Sequence, residues 1–276
     1  LANDLERWPK WNEDLRSAFE SCSNTKIGIV SLGRVFKCAS ENKSLIENVL
    51  ESLATCRLSV HLLETVLENL QERGDTITTR QGWSSVLSIL SAGASSSDEK
   101  YIALGFKSVE LLVSEFLPNI LSSHTKCHDI INVLQKFVSQ RSLVNVSLSA
   151  VNLFWNVADH VQTVEIKDVL LGLRSVATDS RPEVRNCAMR SLTSTVVSSG
   201  SSFKIKQWVF VMNDILMPLL RTVREHQEEA AGLSMDKNDE SEDLGRTTGG
   251  ERIKMVVHHT RDTKEKQWHE TNVIVL

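Results

Sequence analysis

The sequence predicts an all-α chain of stacked helix pairs, on three observations. Apolar residues recur at helical spacing in segment after segment. The polar breaks between those segments are short. Leu, Val and Ser dominate, with only four prolines and one tyrosine, a mix that suits helices joined by turns better than a sandwich of strands. At 276 residues and 41% hydrophobic, the chain is long enough for a substantial core in one or two units.

Taken in order, Trp11, Leu15 and Phe19 share a helical face near the start, after Trp8 and Pro9. Ile29, Leu32, Val35, Phe36 and Ala39 predict a helix over 27–39, and Leu45, Val49, Leu50 and Leu53 one over 44–56. Leu62, Leu63, Val66, Leu67 and Leu70 continue the pattern over 59–70. Trp83, Val86, Leu87 and Leu90 follow in "RQGWSSVLSILS". After the break "SAGASSSDEK", Ser96 and Glu99 have capping-box spacing for a helix that carries Leu104, Val109, Leu112 and Phe116 and reaches Pro118. Further helices are expected over 127–138, 142–158, 163–177, 182–198 and 205–224, and a last pattern ends "WHETNVIVL".

Two such helices with their turns span roughly 35 to 45 residues, the period of HEAT or armadillo-type solenoids. "DSRPEVRNCAMRSL" (179–192) is the sharpest local instance. Pro182 suits a first helical turn because its missing N–H costs nothing there. Val184, Ala188 and Leu192 form the apolar face, and Arg185 borders it. The spacing resembles the HEAT consensus, in which an aspartate and an arginine (here Asp179 and Arg185) link neighbouring repeats through a polar ladder.

"SLSAVNLFWNVADHV" (147–161) carries two stripes. Val144, Leu148, Val151, Trp155 and Ala158 are expected to be buried. Ser149, Asn152, Asn156 and Asp159 make a polar edge, suited to bonding neighbouring turns or to meeting a partner. "HTKCH" (124–128) offers three potential zinc ligands where a closed site needs four, so no metal is expected. In "VVHHTRDT" (256–263), His258, His259 and Arg261 form a polar knot with Asp262, read as turn structure or partner contact. No nucleophile elbow, zinc-hydrolase helix or phosphate-binding glycine loop is present. No catalytic residue and no cofactor site is therefore assigned.

The net charge of −4 is uneven: residues 225–245 hold eight acids and one lysine, about −7. Low in apolar residues, 225–250 reads as an acidic flexible linker between a helical-repeat segment over 1–224 and the start of another repeat over 251–276. No long basic run implies a nucleic-acid surface. Five loosely spaced cysteines argue against a disulfide framework. The sequons at Asn42 and Asn145 read as chance matches, and no apolar run is long enough to cross a bilayer. The final pattern stops on Leu276 without a cap, as expected of a segment of a longer chain.

Four stretches together resemble one family: "RSLVNVSLSAVNLFWNVAD" (141–159), "DSRPEVRNCAMRSLTSTVVSSG" (179–200), "WVFVMNDILMPLL" (208–220) and "VVHHTRDTKEKQWHETNVIVL" (256–276). The combination resembles the Mon-two family of large Golgi and endosomal scaffolds. These are relatives of the large Arf guanine nucleotide exchange factors that lack the Sec-seven catalytic module. The matching positions are Asn156, Asp159, Arg181, Pro182, Glu183, Arg185, His258, His259, Arg261, Trp268 and Glu270. The resemblance implies a non-enzymatic helical-repeat rod in membrane trafficking, peripheral on the cytoplasmic face of the trans-Golgi network and endosomes. It implies a Dopey-type protein and an Arf-like small GTPase as partners, and a link to phospholipid flippases. The competing reading is a regulatory helical domain of a true Arf exchange factor. The interaction positions expected are Asn152, Asn156, Asp159, Asp179, Arg185, His258, His259 and Arg261.

Overall fold

A computed structural model describes residues 25–39, 42–161, 165–235, 242–246, 252–255 and 264–275. The helix expected near Trp11 lies outside them. The chain divides into two compact units, Leu1–Gly172 and Leu173–Leu276, and the boundary falls inside one helix.

The first unit contains α1 (Lys26–Cys38), α2 (Lys43–Thr55), α3 (Val60–Arg73), α4 (Arg80–Ala94) and α5 (Glu99–Leu111). These are followed by α6 (Leu117–Ser122), α7 (Cys127–Ser139), α8 (Val144–His160) and the start of α9 (Ile166–Val176). The helices pack on near neighbours in sequence: α1 on α2 and α3, α2 on α4, α3 on α5, α4 on α5 and α7, and α7 on α8. This packing makes two helical layers with the core between them, as in a HEAT or armadillo solenoid. Leu32, Leu53, Leu63, Trp83, Leu134, Phe137 and Phe154 lie fully buried in that core.

Side-chain caps set the helix starts. Thr25, Asn42, Ser59 and Thr79 each accept from a backbone N–H three residues on, at 3.0 to 3.3 Å. Asn42, read as a chance sequon, is thus the cap of α2. The capping box expected at Ser96 is displaced. Asp98 is the cap of α5, accepting from Lys100 N at 2.9 Å, and Ser96 Oγ accepts from Asp98 N instead.

Pro118 does not stop its helix. A π-helical segment, Leu112–Phe116, comes just before α6. The wider turn makes room for a ring that would otherwise strike the carbonyl four residues back. The second unit repeats the device: Val211–Leu216 is π-helical just ahead of Pro218. The Asp214 carbonyl, which Pro218 cannot serve, accepts from Arg174 Nη1.

The rest of the second unit is α10 (Pro182–Ser199), α11 (Ile205–Phe210), α12 (Met217–Met235), a two-stranded antiparallel hairpin and α13 (Lys264–Val275). Glu242–Arg246 pairs with Arg252–Met255, with an irregularity between Asp243 and Arg246. α12 runs eleven residues past Arg224, into the stretch read as linker. Exposed pairs along it, Arg224–Glu228 at 3.0 Å and His226–Glu229 at 3.2 Å, have helical spacing. α13 packs on both α10 and α12.

The expected buried stripe of α8 is rotated. Ser147, Ala150, Val151, Leu153, Phe154, Val157 and Ala158 are buried, whereas Trp155 is 38% and Val144 42% exposed. Polar Ser147 belongs to the core because Gln140 Nε2 donates to its hydroxyl at 2.9 Å. Gly172 of α9 fixes how closely that helix lies. A Cβ there would stand 2.6 Å from Ile131 Cγ2 and 2.7 Å from Phe154 Cε1.

Phe154→Ala is therefore expected to cost about 3–5 kcal/mol in chemical denaturation. Trp155→Ala is expected to cost about 1 kcal/mol or less. Equal losses at the two positions would refute the buried face described for α8.

Candidate functional site

The richest polar constellation joins three helices of the second unit around Arg185. On the α10 side, the turn before the helix is closed by Asp179, whose carboxylate accepts from the Arg181 backbone N–H at 2.8 Å. Arg181 Nε and Nη2 grip the same carboxylate at 2.9 Å each. The expected Asp179–Arg185 ladder takes a different form. Arg185 Nη1 donates to the backbone carbonyl of Asp179 at 2.9 Å, not to its carboxylate.

Arg185 then reaches forward to α13. It is 1% exposed. Its Nε donates to Thr271 Oγ1 at 2.9 Å, and Thr271 donates in turn to Asn186 Oδ1 at 2.7 Å. The guanidinium carbon lies 3.7 Å from the centre of the Trp268 ring, a cation–π contact strengthened by its desolvation. His226 of α12 stacks on Trp268 with centroids 4.5 Å apart and planes 24° apart. Two flat groups this near one ring centre must occupy opposite faces, so Trp268 is sandwiched between α10 and α12. Asn272 Nδ2 completes the seam by donating to Gln227 Oε1 at 2.9 Å.

Burial pushes the Arg185 guanidinium below its ordinary value, against the opposing pull of Asp179 and Glu183. Its Nη2 has no hydrogen-bond partner. The arrangement thus holds a cation by ring faces, a hydroxyl and a carbonyl. It suits a structural lock between repeats, and it contains no activated nucleophile.

The other expected positions separate from it. Asn152, Asn156 and Asp159 lie exposed on α8 in the first unit, on the same face as Trp155. His258, His259 and Arg261 lie outside the described residues. In "HTKCH", Cys127 is buried while His124 and His128 are exposed. Among the described residues no group of three His, Cys, Asp or Glu could hold a metal ion. Thr271, Asn186, His226, Gln227 and Asn272 were not singled out by sequence. Trp268 set in the polar run that opens α13 was the available signal, but nothing local pairs it with α10.

Two predictions follow from this geometry. Trp268→Ala is expected to free α13, with loss of hydrogen-exchange protection over 264–275 and little change in α1 to α8. Arg185→Lys, which cannot lie flat on the ring, is expected to lose about 2 kcal/mol. Unchanged exchange in both variants would rule out the lock. Separately, burial holds the Cys127 thiol up at about 12, from 9.0. Cys127 should resist a thiol reagent at pH 8 while exposed Cys38 reacts. Because the unfolded thiol ionises first, this group makes stability fall as pH rises between 9.0 and about 12.

Comparison with known proteins agrees with this layout. The family described as the C-terminal region of Mon2 protein matches residues 169–276, nearly the same span as the second unit. The chain is 29% identical over 252 residues to a Protein MON2 homolog of Xenopus laevis, covering 78% of this chain and 14% of that protein. The Homo sapiens Protein MON2 homolog gives the same identity and coverage. A third relative, the Brefeldin A-inhibited guanine nucleotide-exchange protein 2 of Arabidopsis thaliana, is 22% identical over 215 residues, covering 62% of this chain and 12% of that protein. The chain thus spans about one seventh of the length of the Mon2 relatives. With a helical solenoid preceding that matched region in the chain, and Arg185 and Trp268 locking its last helix in place, this chain is similar to the Mon2 family, most specifically over residues 169–276.

Proposed function

We propose that the chain is a non-enzymatic scaffold segment in endosome-to-Golgi and trans-Golgi trafficking, working through protein–protein contacts. Similarity to the C-terminal region of Mon2 protein over residues 169–276, the region locked by Arg185, is the observation that supports the reading. A scaffold gains by presenting a surface that needs no ordering when a partner arrives. The packed layers and the Trp268 sandwich supply stiffness of that kind.

On α8, Trp155 stands among Asn152, Asn156 and Asp159 on one exposed face. An aromatic anchor with hydrogen-bonding neighbours has the composition of a contact surface. Asp179 and Arg185 serve the fold in this reading, and His258, His259 and Arg261 join the contact positions by resemblance. The partners are a Dopey-type protein and an Arf-like small GTPase. The place of action is the cytoplasmic face of the trans-Golgi network and endosomes, with peripheral membrane contact and no nucleic acid. A second reading, a regulatory helical domain of an Arf exchange factor, is favoured by the similarity to the Arabidopsis exchange protein.

A pull-down with the folded chain against cytosol and Golgi membranes tests the first reading. Enrichment of a Dopey-type protein or an Arf-like GTPase is expected, with loss of about tenfold in Trp155→Ala. Enrichment of neither would overturn it. A change in Arf nucleotide exchange when the chain is added to a Sec-seven module would favour the second.

A further inference from the structure

We propose that the exposed face of α11 and of the π-helical turn after it docks on an anionic lipid surface. Among the described residues, more than half of the large apolar side chains left exposed fall in one short stretch: Val197, Ile205, Trp208, Val209, Met212 and Met217. Ile205, Trp208, Val209 and Met212 recur at i, i+3, i+4 and i+7, and so share one face. Ile205 is 80% and Val209 53% exposed. Val211 and Ile215 are buried and hold the other side of the same helix to the core. Trp208 is set firmly in the row. Its ring meets Phe203 edge-on, with centroids 5.5 Å apart and planes at 72°, and a Cβ at Gly200 would stand 3.0 Å from its Cζ2.

The charges name the occupant. Lys204 and Lys206 flank Ile205, and both are exposed. From Val184 to Asn213 the sequence holds no aspartate or glutamate, in a chain with 35 of them. Asp214 follows the row, and Arg174 donates to its backbone carbonyl. Counting both, the face has three cations against one acid. An apolar row with an indole in it and lysines at its margin has the composition of a helix lying in a bilayer interface. The apolar tips enter the acyl boundary, the indole sits at headgroup depth, and the ammonium groups reach the phosphates. Such a row lies along the surface; no helix among the described residues is long and apolar enough to cross a membrane. The α8 face differs, because Trp155 there stands beside Asn156 and Asp159, which ask for directed hydrogen bonds. The proposal rests on the trafficking reading for its membrane and gives that contact a place. The two fail separately, since vesicle binding requires no protein partner and capture of a cytosolic partner requires no vesicle.

Flotation of the 276-residue chain with two kinds of vesicle tests it. One is pure phosphatidylcholine, and in the other about a third of the lipid is phosphatidylserine. Binding to the anionic vesicles is expected, weakening as salt rises, with binding to the neutral ones about tenfold weaker or more. Partition into the anionic vesicles should fall about fivefold in each of Lys204→Ala and Lys206→Ala, and about tenfold in Ile205→Glu. Thermal melting of all three variants should match that of the parent, because the altered side chains are exposed. Lipids with brominated acyl chains should quench the parent's fluorescence more than that of Trp208→Phe. No binding to anionic vesicles, equal binding to neutral ones, or undiminished partition of Ile205→Glu would each overturn the site. So would a dimer of the parent in sedimentation that Ile205→Glu dissociates, without vesicle binding, since the face would then serve a second copy.

Discussion

No helix of this chain can hide its own apolar face, and the architecture follows from that shortfall. Helices of the first unit cover their faces with helices one to three places away in sequence, as α1 does with α2 and α3, and α4 with α5 and α7. The apolar stripes are accordingly broad, and the turns between them are too short to let a helix stray. Close approach is secured at single points, such as Gly172 against Ile131 and Phe154, where even a methyl group would collide. The π-helical turns ahead of Pro118 and Pro218 belong to the same logic. They absorb a residue that breaks the ladder without turning the apolar faces away from their layers.

The second unit adds a cation to this packing. Burying a guanidinium is unfavourable unless its surroundings replace water, and Arg185 obtains that replacement from a ring face, a carbonyl and a hydroxyl. Each substitute has a fixed direction. The contact therefore sets the rotation and register of α13 as well as holding it, which an aliphatic side chain in the same place would not do.

Much of the fold was readable because apolar spacing and caps are local properties. The helices begin and end within a few residues of where Leu, Val and Ile recur. The errors are instructive for the same reason. In α8 two stripes lie side by side, and the size of Trp155 favours the wrong one. The right one contains Ser147, whose burial depends on Gln140 seven residues earlier. Ser96 has capping spacing, yet Asp98 accepts the helix N–H and Ser96 holds Asp98. The acid-rich end of α12 looks unstructured by composition, while its pairs at helical spacing keep it helical. For the site, Arg185 was visible as the border of an apolar face. Its partner Thr271, 86 residues away, was not, because no local pattern encodes a contact across that distance.

The packing of α12 on α13 has a topological consequence. The chain leaves α12 at Met235 and enters α13 at Lys264, and both helices are anchored through Trp268. The connecting stretch closes a gap whose span is set by those helices and not by its own length. Lengthening such a stretch twofold raises the closure cost by only about 0.6 kcal/mol. The place between the two helices is thus a natural point for insertion, where relatives can differ in length, or a reporter domain can be spliced in, while the solenoid keeps its register.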